Sequence, residues 1–233
     1  MKHVVVLTGA GMSADSGLAT FRDSGGLWEG YDINEVASAD GWNRNPEKVL
    51  EFYNTRRKQA FEAEPNEGHK ALVKLEEKFE VSIVTQNVDD LHERAGSGNV
   101  IHLHGELRKA RSVENRELVY DIGDKPIKLG DTAEDGAQLR PHIVWFGEMV
   151  PMLEEGVRVV SQADILIVIG TSLVVYPAAS LVDYAPGGIP KYIIDPSTPE
   201  LYSFHGWEHI KATAAEGTPK LVENLLNDDK KIE

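Results

Sequence analysis

The sequence predicts an α/β fold, a parallel β-sheet with helices on both faces and a smaller inserted subdomain. Three observations lead there. Short apolar runs rich in β-branched residues, Val4–Leu7, Val81–Thr85, Ile165–Ile169 and Lys191–Ile194, recur along the chain and read as strands buried on both faces. Helix-patterned stretches separate them, and strands alternating with helices build a parallel sheet. The first and third runs end in turns of small residues, Gly9-Ala10-Gly11 and Gly170-Thr171-Ser172.

In chain order, helices are expected at Pro46–Phe61, Asn66–Phe79, Met152–Gln162, Pro177–Asp183 and Pro219–Leu226. Residues 32–64 carry helical patterning and no strand. Residues 108–140 mix strand-like pieces, Glu117–Ile122 and Ile127–Leu129, with Gly, Asp and Pro. These two insertions are assigned to the small subdomain. The core is assigned to residues 1–31, 65–107 and 141–226, and the charged tail from Asn227 to Glu233 is expected to fray.

Composition narrows the function. The 233 residues include 24 Lys and Arg against 38 Asp and Glu, a net charge of −14. Phosphate backbones and anionic lipid repel such a chain, so neither nucleic acid nor membrane is expected as a partner. The absence of cysteine excludes a disulfide, a thiol nucleophile and a thiolate metal site. Ile165–Ile169 is far too short to span a bilayer. Val4–Leu7 running into Thr8-Gly9-Ala10-Gly11 does not read as a signal peptide. The expected setting is cytoplasmic. The sequence says little about assembly, and a monomer is the expected state.

Gly9-Ala10-Gly11-Met12-Ser13-Ala14 fits G-x-G-x-x-A directly after the first strand. The first glycine permits a tight turn, the second lets a phosphate approach the backbone, and Ala14 allows close packing of helix on strand. A plain strand–helix turn is the alternative. No strand bearing a ribose-binding acid follows within twenty residues. Instead comes Ser16-Gly17-Leu18-Ala19-Thr20-Phe21-Arg22-Asp23, in which Arg22 offers a bidentate hold on a phosphate or carboxylate.

The second strand runs into Gln86-Asn87-Val88-Asp89-Asp90-Leu91-His92. Amides and a carboxylate at a strand end can read a carboxamide, or simply form an Asx turn and N-cap. His102 and His104 are two apart, sharing a face if the strand is regular. His104, beside Gly105, suits a general base, because an imidazole titrates near neutrality. His102 reads as a hydrogen-bonded packing residue. The apolar piece from Leu139 to Glu148 is either a core strand or an edge that accepts a peptide.

Taken together and in this order, the pieces resemble the sirtuins, NAD-dependent protein lysine deacylases with a Rossmann-like domain and a smaller one. The matching segments are Gly9-Ala10-Gly11 with Ser13-Ala14-Asp15-Ser16-Gly17, Phe21-Arg22, Thr85-Gln86-Asn87-Val88-Asp89 with Leu91-His92, Arg94-Ala95-Gly96, His104-Gly105, Pro141–Glu148 and Gly170-Thr171-Ser172-Leu173. They cover most of the chain. The resemblance implies NAD as cofactor and acylated-lysine proteins as substrates. Gly9, Ala10, Gly11, Ser13 and Arg22 would form the phosphate loop, and Phe21 would shield the reactive sugar from water. Gln86 and Asn87 would line the ribose, Asp89 would hold the carboxamide, and Gly170, Thr171 and Ser172 would meet phosphate and adenosine ribose. His104, with Asn87 beside it, would carry the catalysis. Val144, Trp145 and Phe146 would grip the substrate, and Gly147 and Glu148 would pair it as a strand. The implied reaction transfers the acyl group to the sugar, releasing nicotinamide, free lysine and O-acyl-ADP-ribose.

Glu51-Phe52-Tyr53-Asn54-Thr55-Arg56-Arg57 resembles the subgroup that removes succinyl, malonyl and glutaryl groups. Tyr53 and Arg56 stand at i and i+3 on one helix face. A guanidinium fork with a phenol suits a carboxylate. Ala37 is expected to be the small residue in that pocket's wall. Alternatively, Tyr53 packs and Arg56 is solvated. Weak acidic-acyl activity on a deacetylase, NAD hydrolysis, ADP-ribosyl transfer and a non-catalytic sensor are the competing functions.

Two departures stand out. Sirtuins commonly hold zinc with four cysteines after the His-Gly pair, whereas residues 108–140 here contain none, so no zinc is expected. The pieces Glu117–Ile122 and Ile127–Leu129 are expected to pair as a metal-free hairpin. Ile193 stands where an Asn is usual, so one ribose hydrogen bond would be lost unless Asp195 supplies it.

Overall fold

The computed structural model describes residues 1–20, 27–28, 30–198 and 206–228. The first half runs β1 (His3–Thr8), α1 (Gly11–Ala14), β2 (Leu27–Trp28), β3 (Tyr31–Asp32), α2 (Ile33–Val36), α3 (Ala39–Arg44), α4 (Pro46–Glu62), α5 (Glu67–Leu75), β4 (Glu80–Thr85), α6 (Leu91–Ala95) and β5 (Val100–His102). The second half runs β6 (Gly105–Ser112), β7 (Val119–Asp121), β8 (Leu139–Ile143), α7 (Leu153–Val160), β9 (Ile165–Ile169), a 3₁₀ segment Ala178–Tyr184, β10 (Lys191–Ile194), β11 (Trp207–Ile210) and α8 (Ala214–Asp228).

Six strands form a parallel sheet in the order β11-β10-β9-β1-β4-β5. Side chains alternate across it. Val4, Val6, Ile83 and Ile167 face α5 and α8, where Leu72, Leu75, Val222 and Leu225 close one core layer. Val5, Leu7, Leu166, Val168 and Ile193 face α7 and the 3₁₀ segment, where Val160 and Leu181 close the other. Strand order grows outward from β1 in both directions, through β4 to β5 and through β9 to β11. The reversal lies between β1 and β9, and at such a switch point the turns diverge and leave a crevice beyond the strands' carboxyl ends.

The small unit is an antiparallel sheet, β7-β6-β8, lying against α4. Two apolar clusters join them: Leu107 and Ile143 with Val49, Phe52, Tyr53 and Ala60, and Leu50 with Ala110 and Ile127. Polar bonds do the remaining positioning. Asn54 brackets one peptide, donating to Ile127 O (2.8 Å) and accepting from Ile127 N–H (2.9 Å). At the far end of β6, Ser112 Oγ donates to Asp135 (2.6 Å) and accepts from the Glu114 and Asn115 N–H groups.

The expected hairpin is corrected. β7 pairs with β6, Lys109 opposite Asp121 and Arg111 opposite Val119. Residues 127–129 form no strand, because Ile127 is held by the Asn54 side chain on α4. β11 was not expected: Trp-Glu-His-Ile has no β-branched run, and it forms only as an edge strand on β10. α8 begins five residues before Pro219, which lies inside it.

Candidate active site

One cleft of about 470 Å³ opens at the carboxyl ends of β1, β4 and β9 and runs on between them and the small unit. At its first end two glycine turns meet. Gly9 N–H donates to Ile169 O (3.0 Å) and Gly11 N–H to Gly170 O (2.8 Å). A Cβ on Gly11 would lie 2.7 Å from Gly170 Cα, and one on Gly170 only 2.4 Å from Gly11 C. Gly170 also has φ +62°, in the left-handed region. Glycine is thus required at both turns by their mutual packing. α1, following the first turn, is a single turn of helix.

Beyond the glycines lies a buried polar relay. Asn87 Nδ2 donates to Ser13 Oγ (3.1 Å), which donates to Asp89 Oδ2 (3.0 Å). Asp89 Oδ1 accepts from Leu91 N–H (3.2 Å). Burial pushes the Asp89 carboxyl above the usual carboxylate range, against the pull of these hydrogen bonds. Gln86 donates to Thr171 Oγ1 (3.2 Å), tying the end of β4 to that of β9. His104 lies across the cleft, with Nδ1 3.2 Å from Gln86 O. With Nδ1–H donating there, Nε2 is the basic nitrogen. Burial pulls its pKa below the ordinary histidine value, and the Gln86 carbonyl opposes this only in part, so the imidazole is neutral at pH 7.

His102 does not join it. Its Nδ1 meets Asn87 O (3.0 Å) and its Nε2 pairs with Glu93 Oε1 (2.7 Å). Burial lowers its pKa, the Glu93 carboxylate outweighs that, and the net shift is upward. It is a hydrogen-bonded packing residue, as the sequence reading expected.

At the other end α4 presents two faces. Leu50, Asn54 and Arg57 face the small sheet, with Arg57 Nε donating to Leu107 O (2.6 Å). Tyr53, Arg56 and Ala60, at i, i+3 and i+7, line the cleft. Tyr53 is fully buried and Arg56 is 8% exposed. Burial raises the Tyr53 pKa, while the neighbouring Trp145 N–H opposes the rise. Even so, neither the Tyr53 hydroxyl nor the Trp145 indole nitrogen makes a hydrogen bond of normal geometry among the described residues. Ala37 closes the wall here, its carbonyl accepting from Phe146 N–H (3.0 Å).

The cleft therefore gathers Gly9, Ala10, Gly11, Ser13, Gln86, Asn87, Asp89, His104, Gly170, Thr171, Ser172 and Asp195 with Tyr53, Arg56 and the segment Val144–Glu148. Phe21 and Arg22 lie outside the described residues. Ile193 is a core residue beneath the cleft, and Asp195, two residues on, is the one that reaches it. Glu148 carries an internal duty: its carboxylate holds Arg140 (2.8 and 3.2 Å) and the Trp145 N–H (2.8 Å). Ala60, Thr20 and Val175–Pro177 also line the cleft and were not expected. Ala60 was legible from the helical spacing of Tyr53 and Arg56, and Val175–Pro177 from its place just after the Gly170 turn.

The donor set fits NAD: backbone turns for phosphates, small polar side chains for riboses, and a carboxyl–amide relay for a carboxamide. Residues 9–177 match the model of the Sir2 family. An NAD-dependent protein deacylase of Helicobacter pylori is 55% identical over 97% of this chain and 96% of its own length. One from Bacteroides thetaiotaomicron is 50% identical over 97% of this chain and 99% of its own. A solved Sir2 homologue in complex with NAD superposes with a TM-score of 0.87 at 41% identity, covering 97% of this chain and 90% of that one. With its family's model matched across most of its length and relatives this similar from end to end, the chain belongs to the Sir2 family.

Proposed function

We propose that this protein is an NAD-dependent protein lysine deacylase specialised for acidic acyl groups, succinyl and malonyl, acting as a monomer on acylated proteins in the cytoplasm. The observation that carries the reading is the continuity of one cleft from the paired glycine turns, past His104, to Tyr53 and Arg56. The relatives named NAD-dependent protein deacylase support the general activity.

When bound, NAD supplies an electrophilic anomeric carbon from which nicotinamide departs. The chain's own residues do the rest. Asp89, set by Ser13 and Leu91, holds the carboxamide N–H groups. Asn87 orients the ribose. His104 Nε2 takes a proton from a ribose hydroxyl, and the Gln86 carbonyl fixes its tautomer. Val144 and Phe146 flank the lysine stem, keeping water from the reacting centre. A succinyl carboxylate reaches the guanidinium fork of Arg56 and the phenol of Tyr53 in a site too dry for an unpaired anion.

The test is turnover of matched succinyl- and acetyl-lysine peptides by wild type and Arg56→Met. Wild type is expected to prefer succinyl, and Arg56→Met to reduce that preference roughly ten- to a hundred-fold, the scale of one lost charge-assisted contact. A wild-type preference for acetyl would make the protein an ordinary deacetylase. Nicotinamide release without any peptide would make it a hydrolase.

A further inference from the structure

Resting on the acidic-acyl reading, we propose that the indole N–H of Trp145 is a further specificity-determining donor, completing with Tyr53 and Arg56 the binding site for the acyl carboxylate.

Three observations carry this. First, a carboxylate offers about four lone-pair sites. In a dry site each needs a donor, and the Arg56 fork with the Tyr53 hydroxyl supplies three. Second, Trp145 is 2% exposed and lines the same cleft, and its Nε1 makes no hydrogen bond of normal geometry among the described residues. The adjacent Tyr53 hydroxyl makes none either, the indole N–H lying near enough to hold its pKa down but out of normal hydrogen-bond geometry. Two neighbouring buried donors that meet only each other, and in poor geometry, are a standing cost that a ligand with acceptor oxygens would remove.

Third, the indole is held too firmly to be mere filling. The Arg140 guanidinium lies over its ring, 3.2 Å from the centroid, and Trp42 leans on it at 5.7 Å. Arg140 is in turn clamped by Glu148 and by Ile143 O (2.9 Å). Glu148 also takes the Trp145 backbone N–H (2.8 Å). Burying an aromatic ring needs none of this. A donor that must point at one spot does, and a cation over the ring strengthens the N–H as a donor.

The test replaces the N–H without emptying the site. Kinetics on succinyl- and acetyl-lysine peptides are compared for wild type, Trp145→Phe, and protein carrying 3-benzothienylalanine at position 145, in which sulfur stands for N–H at nearly the same shape. The succinyl KM is expected to rise about ten-fold relative to the acetyl KM in both variants, with kcat for the two peptides moving together. If the benzothienyl protein keeps the wild-type ratio, Trp145 only packs and the inference falls. If Trp145→Phe does not fold, the benzothienyl protein alone decides. If wild type shows no succinyl preference at all, the acidic-acyl reading fails first, and this inference with it.

Discussion

The two ends of the cleft are built by different means. The end proposed for the nucleotide is made of backbone and short polar side chains at the ends of three neighbouring strands, β9, β1 and β4. The end proposed for the acyl group is made of large side chains on α4 and the segment after β8, about ninety residues apart in sequence. The first is specified by turns that admit almost no alternative residue. The second depends on a chain of packing in which the small sheet holds α4 and α4 aims Tyr53 and Arg56. Catalysis and acyl choice should therefore be separable by mutation.

The sharpest way to break that separation is His104→Ala. Loss of the proposed base is expected to reduce turnover of succinyl and acetyl peptides alike by about 10²–10⁴-fold, whereas Arg56→Met is expected to spare acetyl turnover. A loss confined to one peptide would mean the ends are not independent. The pH profile sharpens the same point. Because burial lowers the His104 pKa, the neutral imidazole persists in mild acid, and the acid limb of kcat/KM is expected below pH 6.5 for both peptides.

Next in size is Gly170→Ala. The added Cβ would collide with backbone atoms of the first turn at a residue with positive φ. A stability loss of about 2–4 kcal/mol is expected in chemical denaturation. A neutral result would show that the turns can separate and that the nucleotide end is not backbone-specified.

Smallest is the effect of weakening the support behind α4. Ser112→Ala removes the hydroxyl that accepts from the Glu114 and Asn115 N–H groups and donates to Asp135, and is expected to lower Tm, with succinyl preference shifted less than by Arg56→Met. Chelator is expected to leave Tm unmoved, since a chain without cysteine has no thiolate site to lose. A chelator-dependent Tm would mean that hard-ligand metal binding holds the small sheet.

Much of the nucleotide end was legible beforehand. A glycine turn after an apolar strand is a local event, and so is a cluster of amides at a strand end. The same locality revealed four of the six parallel strands. β11 escaped because an edge strand of mixed polarity owes its form to β10 and not to its own residues. Residues 127–129 misled for the mirror reason: Ile127 and Leu129 alternate with Lys128 as a strand would, but Asn54 claims the Ile127 peptide first.

By itself the sequence determined the α/β class, the glycine turns, the absence of any thiolate site, and the i, i+3 pairing of Tyr53 with Arg56. Each follows from residue type and short-range spacing, which act whatever the rest of the chain does. Only the tertiary structure decided that Tyr53 and Trp145 share one dry floor, that Ile193 is core while Asp195 reaches the cleft, that Glu148 turns inward to Arg140, and that His102 pairs with Glu93. These outcomes depend on which surfaces meet after the sheet closes, and burial then sets their protonation and their need for partners.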